Sequence, residues 1–338
     1  MQMNVDERRR NRMGRRSPQM NADKERHHRE DREERRADAD ELGYRARTTD
    51  MDEIRPEVKQ SVVEGGAALC CREWAPKDPK GTVVCVHGIR SHSAWYLDSC
   101  AHLARKGYRV LFPDRRGSGL NREGGSGGEA RVGGWVADVE HFIARAAREL
   151  PEKPVHLIGI SWGGRLAAVV AAAGRVPVRS VVLSTPGIVS LRDCGLLTKI
   201  GVAAALLTRA DREFAIPLDD PALFTDDPDE RNYIEGDKFG VRRVSARFLL
   251  ESRKLERLAK RSFRALSVPV LLMLAGRDEI VDNAGVKKLF EKCPSADRVL
   301  KVYPEARHTL EFDACREEYF DDLAAWFDAH GEKSSAAD

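Results

Sequence analysis

Apolar runs of strand length recur along this chain, and helical patterns separate them. Residues 83–86, 110–112, 155–160, 181–183, 268–274 and 299–303 are such runs, rich in Val, Ile and Leu. The stretch 135–150 between two of them carries Val136, Val139, Phe142, Ile143 and Ala146 on one helical face. Strands separated by helices must run parallel, and a parallel sheet needs helices over both faces. The predicted class is therefore α/β, a mostly parallel central sheet covered on both sides. Val62-Val63 and residues 67–74, broken by Gly65-Gly66, read as an antiparallel hairpin ahead of it.

The alternation stops between 188 and 262. That stretch has no clear strand, and its apolar runs at 196–207 and 248–258 are helix-like. It reads as a helical insertion, which leaves a core of 57–187 and 263–330. Residues 1–50 hold 14 Lys/Arg and 12 Asp/Glu with almost no large apolar side chain. Such a segment buries too little surface to offset its ordering entropy and is expected to be a disordered charged tail. Its basic cluster, Arg8-Arg9-Arg10 with Arg12, Arg15 and Arg16, reads first as solvated. Met13, Met20 and Met51 leave a later start of translation open.

The net charge of +3 over 338 residues gives no case for a nucleic-acid partner. Seven cysteines, an odd number with no C-x-x-C pair, suit reduced thiols in the cytoplasm. No secretory leader is expected, and the longest apolar run, 200–207, is far below the roughly 20 residues of a membrane span.

Chemistry concentrates at strand ends. Gly159-Ile160-Ser161-Trp162-Gly163 follows the apolar strand 155–158 and precedes a helical run. A serine on so sharp a strand-to-helix turn needs glycines two residues either side, because side chains there would clash. The turn lifts the hydroxyl clear of the sheet and leaves the Trp162 N–H free for a developing oxyanion. Ser161 is the candidate nucleophile. A serine nucleophile needs a base, and the base needs an orienting carboxylate.

Leu274-Ala275-Gly276-Arg277-Asp278 puts an acid on a tight loop at a strand's carboxyl end. Asp278 is the candidate, with Glu279 and Asp282 as alternatives and Asp282 better suited to cap the next helix. Downstream of it lie two histidines, His308 just after strand 299–303 and His330 in the C-terminal tail. His308 is the candidate base. The second oxyanion donor is expected from His87-Gly88-Ile89 after strand 83–86, as the Ile89 N–H. His87 reads as a brace for that loop, and Asp114 as an aspartate tying down its own turn. The run 124–128 is a flexible linker, lacking the lysine of a phosphate loop.

Taken together, His87-Gly88, Asp114-x-Arg-Gly-x-Gly, Gly159-x-Ser161-x-Gly163, Gly276-x-Asp278 and His308 resemble the α/β-hydrolase superfamily in content and order. The loop His87-Gly88 with His92-Ser93 and Tyr96 looks like its monoacylglycerol lipase, lysophospholipase and serine aminopeptidase branch. The resemblance covers about residues 57–330. It implies an α/β-hydrolase fold in which 188–262 is a cap over the site. Trp162 stands where that branch often has methionine or a smaller residue, so its ring is expected to narrow the acyl pocket.

The expected activity is hydrolysis of carboxylic esters through an acyl-enzyme, with no cofactor or metal and a small acyl ester as partner. His92, Tyr96, Leu197 and Ile200 are expected to line the substrate pocket. The apolar run 196–207 also leaves peripheral membrane contact through the cap open. The same three side chains would serve a thioesterase or an aminopeptidase. The latter needs a carboxylate for the substrate amine, for which Asp211, Glu213, Asp219 and Asp220 are candidates. A non-catalytic ligand-binding protein on the same fold is the remaining alternative.

Overall fold

The computed structural model describes residues 54–122 and 131–331. The charged segment 1–50, with its basic cluster, and the glycine run 124–128 lie outside the described residues. Among the described residues ten strands form: β1 (Glu57–Val62), β2 (Ala68–Trp74), β3 (Gly81–Val86), β4 (Tyr108–Pro113), β5 (Val155–Ile160), β6 (Ser180–Ser184), β7 (Glu213–Ala215), β8 (Arg243–Ser245), β9 (Val270–Ala275) and β10 (Arg298–Tyr303). Eight of them make one sheet in the order β1-β2-β4-β3-β5-β6-β9-β10. The pairs β1–β2 and β2–β4 are antiparallel, and every other pair is parallel. Every residue of β3, β5, β6 and β9 is buried, which is why these strands read as unbroken apolar runs.

Helices α1 (Leu97–Arg105), α2 (Val132–Glu149), α3 (Trp162–Ala173), α4 (Leu196–Thr208), α5 (Pro228–Gly236), α6 (Ala246–Ser262), α7 (Asn283–Phe290) and α8 (Arg316–Ala329) alternate with the strands. The crossover from β3 to β4 runs one way along the sheet, and that from β4 to β5 runs back across β3. Right-handed connections therefore put α1 and α2 on opposite faces. Accordingly α8 packs against α1, while α3 packs against α2. Trp135, Phe142 and Ile143 of α2 are at most 1% exposed. Each such side chain contributes about 1.5–3 kcal/mol by leaving water.

Between β6 and β9 lie α4, α5 and α6, with β7 and β8 paired as a small antiparallel ribbon. The sequence pattern showed no strand there, because three residues are too few to establish an alternation. The helix read from 135 begins earlier, and Gly133 and Gly134 occupy the first turn of α2. A Cβ at either would meet nothing within 4 Å, so packing does not require glycine at those positions. Among the described residues no helix is long and apolar enough to cross a membrane.

Candidate active site

Ser161 caps α3 at the end of β5 with φ 52° and ψ −119°, a left-handed backbone that side chains rarely adopt. The surroundings hold it there. Its N–H donates to Ser184 O at 2.9 Å, and its carbonyl accepts from Gly164 and Gly187 at 2.9 and 2.8 Å. Strain of this kind persists only where neighbours over-determine it. A Cβ on Gly159 would overlap the side chain of Ala167, and one on Gly163 the carbonyl of Val86. Both glycines are thus required by close approach.

His308 Nε2 lies 2.8 Å from Ser161 Oγ, and His308 Nδ1 lies 2.8 Å from Asp278 Oδ2. A carboxylate only accepts, so Nδ1 carries the ring proton and Nε2 accepts from the serine hydroxyl. The other Asp278 oxygen accepts the N–H groups of Ile280 and Val281 at 2.8 and 2.9 Å. The two loops hold each other, Arg277 N donating to Ala306 O at 2.9 Å, and Thr309 N donates to Phe224 O of the inserted segment at 2.9 Å. Of the two alternatives, Asp282 caps α7 through Gly285 N, and Glu279 pairs with Arg307 and Arg192. His330 lies elsewhere, bonded to Asp297 and the Trp326 carbonyl.

Gly88 packs directly on the serine: a Cβ there would lie 3.3 Å from Ser161 Cβ. Among the described residues, neither the Ile89 nor the Trp162 N–H has an acceptor. Burial, with Arg115 beside it, pulls the His87 pKa down to about 3, so the ring is neutral. Its Nδ1–H donates to Gly88 O at 2.8 Å, and its Nε2 accepts from Arg115 N at 2.9 Å. Asp114 accepts from Ser93 N at 2.6 Å and Leu120 N at 2.9 Å, tying its own turn to the same loop. Burial opposes the Asp114 charge, but the Arg72 guanidinium, with the Leu120 N–H, more than offsets it and holds the carboxyl below the ordinary range.

A cavity of about 300 Å³ opens beside Ser161, walled by Ile89 and Trp162 on one side and by α4 and α6 on the other. The Trp162 ring stacks on Phe248 at 5.6 Å, meets Trp135 edge-on at 5.0 Å, and donates to Ser252 Oγ at 2.8 Å. It is thereby held as part of the cavity wall, with open volume left beside it.

Of the four residues expected to line the substrate pocket, Leu197, Ile200 and His92 need correction. Leu197 and Ile200 are 85% and 58% exposed, on the solvent side of α4, while Lys199, Val202 and Leu206 face the cavity. That helix is apolar nearly all round, so its periodicity could not say which face turns inward. His92 is absent from the cavity wall and is engaged by Asp237 instead. Tyr96 lines a small void of about 10 Å³ next to Ser161 and His308. Its hydroxyl bonds Ser91 Oγ at 3.0 Å, which in turn accepts from Gly88 N at 3.0 Å. Of the acids considered for a substrate amine, none lines the cavity; Asp193 and Glu256 do. Arg165 and Ser252 also line it, and the sequence reading passed over both. The signal available was an arginine one turn after the serine, in a helix otherwise apolar and destined for burial.

A mostly parallel eight-stranded sheet with this strand-to-helix turn at its carboxyl edge defines an α/β-hydrolase fold. The family model described as serine aminopeptidase, S33 (Hydrolase_4), matches residues 77–314, and the chain belongs to that family. The monoglyceride lipase of Saccharomyces cerevisiae is 28% identical over 268 residues, covering 74% of this chain and 85% of that protein. The monoglyceride lipase of Rattus norvegicus is 27% identical over 279 residues, covering 78% and 87%. A solved soluble variant of the Saccharomyces cerevisiae enzyme, in complex with a substrate analogue, superposes with a TM-score of 0.74. It is 24% identical and covers 86% of this chain and 99% of its own.

Proposed function

We propose that this hydrolase is a serine-dependent carboxylic ester hydrolase that works through an acyl-enzyme, on monoacylglycerols, lysophospholipids or small acyl esters. The observation that carries the reading is the unbroken relay from Ser161 Oγ through His308 to Asp278, 2.8 Å at each step. Its relatives named monoglyceride lipase support the ester as substrate. In the reaction His308 Nε2 takes the hydroxyl proton as Ser161 attacks the carbonyl. Asp278 keeps the imidazole in the required tautomer and stabilises the imidazolium. The N–H groups of Ile89 and Trp162 receive the oxyanion, a contribution of roughly 10²–10³ in turnover for each donor. His308 then protonates the leaving alcohol, and water releases the acid by the same route.

The segment 188–262 acts as the cap: α4 and α6 wall the cavity, and the apolar residues Leu196, Leu197, Ile200 and Leu207 face outward. That outward face suits contact with a lipid surface holding the substrate. An aminopeptidase would need an unspent carboxylate in the cavity, but Asp193 is paired with Lys199, and Glu256 with Lys260 and Arg253. Ester hydrolysis is therefore the reading favoured over peptide hydrolysis. The test is Ser161→Ala assayed on p-nitrophenyl butyrate. Turnover is expected to fall on the order of a million-fold; unchanged turnover overturns the assignment.

A further inference from the structure

The cavity beside Ser161 has a charged end for which the acyl-transfer steps give no use. Its wall includes Arg165, Arg192, Lys199 and Arg253 against the carboxylates of Asp193 and Glu256, an excess of cations. Three of the cations are occupied. Arg192 pairs with Glu279 at 3.1 Å, Lys199 with Asp193 at 2.5 Å, and Arg253 with Glu256 at 3.1 Å.

Arg165 is different. It follows Ser161 by one helical turn, on the same side of α3, and is only 9% exposed. Its Nε donates to Gly187 O at 2.6 Å and its Nη1 to Ser252 Oγ at 3.0 Å. Its Nη2 is left with Glu256 Oε2 at 3.8 Å, beyond hydrogen-bond reach. That carboxylate is already spent on Lys260 and Arg253.

Ser252 is in a matching state. Its hydroxyl accepts from both Arg165 and the Trp162 indole, which fills its two lone pairs. Its own proton must then be donated, and among the described residues no acceptor receives it. Two donors on the cavity wall thus lack an acceptor, in a site with excess positive charge. Burial pulls the Arg165 pKa down to about 10, with Glu256 working against that, so the group stays protonated at neutral pH.

One residue links Arg165 to the backbone of the serine, and both line the same cavity. Gly187, which accepts from Arg165, also donates to the Ser161 carbonyl at 2.8 Å, and a Cβ on it would lie 3.3 Å from Ser161 C. We infer that Arg165, with the Ser252 hydroxyl, is the specificity determinant of this site and binds an anionic oxygen group, carboxylate or phosphate, carried on the substrate a few bonds from the scissile carbonyl. The anion supplies the acceptor that both donors lack, and the planar guanidinium suits either group. This inference rests on the ester-hydrolase reading above and narrows its substrate class.

The experiment uses two matched pairs of esters. One pair is p-nitrophenyl hydrogen succinate against p-nitrophenyl 4-methylpentanoate, in which an isopropyl group replaces the carboxylate. The other is 1-butyrylglycerol 3-phosphate against 1-butyrylglycerol. The full chain is expected to prefer the anionic member of at least one pair by about 10- to 100-fold in kcat/KM. The pair that responds identifies carboxylate or phosphate. Arg165→Gln is expected to bring that ratio close to one, and Arg165→Lys to keep part of it. Fluorophosphonate labelling at Ser161 checks that the variants fold.

A ratio at or below one in both pairs, with the neutral esters cleaved, overturns the inference and leaves the ester-hydrolase reading standing. A ratio that Arg165→Gln leaves intact overturns it too. If none of the four esters is cleaved, the ester-hydrolase reading fails and takes this inference with it. The wild-type ratios decide the matter even if a variant fails to fold.

Discussion

Asp237 grips His92, with both carboxylate oxygens 3.2 Å from its Nε2. The same carboxylate accepts from the Trp95 indole at 2.8 Å and from Phe239 N at 2.8 Å. Asp237 ends α5, between β6 and β9, whereas His92 and Trp95 follow the loop that carries Gly88 and Ile89. The contact therefore ties the inserted segment to the loop against the serine.

Removing this tie should loosen the inserted segment. Asp237→Ala leaves buried donors without an acceptor, at a cost of about 1–3 kcal/mol. Calorimetry is expected to show a lower Tm, and limited proteolysis faster cleavage within 188–262. Burial opposes the Asp237 charge, yet His92 and Trp95 hold its carboxyl below the ordinary range. A depressed carboxylate stabilises above its unfolded value and loses that contribution as pH falls through its folded value. Asp237→Asn should therefore flatten the acid side of the stability curve; an unaltered curve would count against the tie.

Asp278→Asn should separate geometry from charge. The amide oxygen can still accept from Ile280 and Val281, so the loop is expected to hold. The amide nitrogen then faces His308 Nδ1, and the ring adopts the wrong tautomer. Turnover of p-nitrophenyl butyrate is expected to fall about 10⁴-fold with little change in Tm. A fall of less than tenfold would remove Asp278 from the relay.

Gly163→Ala tests the close approach at the elbow. Its methyl group would overlap the Val86 carbonyl, and the sheet end has no room to give. A loss of stability of at least about 1–3 kcal/mol is expected from overpacking alone. The Trp162 N–H would shift as well, so fluorophosphonate labelling should slow. A variant as stable and as reactive as the wild type would contradict the packing described.

Glu311, three residues after His308, gives a prediction on the alkaline side. Burial pushes its pKa up to about 8, with the Ser99 hydroxyl and N–H pulling the other way. The native state then holds a proton that the unfolded chain has released. Stability should fall as pH rises from the ordinary carboxylate value to about 8, by roughly 1.4 kcal/mol per pH unit. Glu311→Gln removes that slope. Urea melts of both proteins at pH 5 and pH 8 should converge at the lower pH and favour the variant at the higher. Parallel behaviour at both would show that Glu311 is ionised in the fold.

Much of this was legible in the chain. Fully buried strands announce themselves as apolar runs, so β3, β5, β6 and β9 could be read directly. The Gly159 to Gly163 spacing has one steric cause, and Asp278 and His308 each stand at the end of a readable strand. What the sequence withheld depends on which way a side chain turns. Leu197 and Lys199 lie on one helix, and only its packing decides that Lys199 faces inward. Asp237 is far from His92 along the chain, and nothing local to either signals the pairing. Arg165 looked like an ordinary helix residue because its surroundings come from Gly187 and from α6.

The most direct measurement is to mix the protein rapidly with p-nitrophenyl butyrate, quench in acid and map the modified peptide by mass spectrometry. A butyryl group is expected on Ser161 alone, formed in a burst and absent from His308→Ala. Steady turnover with the acyl group on another residue, or with no covalent intermediate at any quench time while release of acid is rate-limiting, would contradict nucleophilic attack by Ser161.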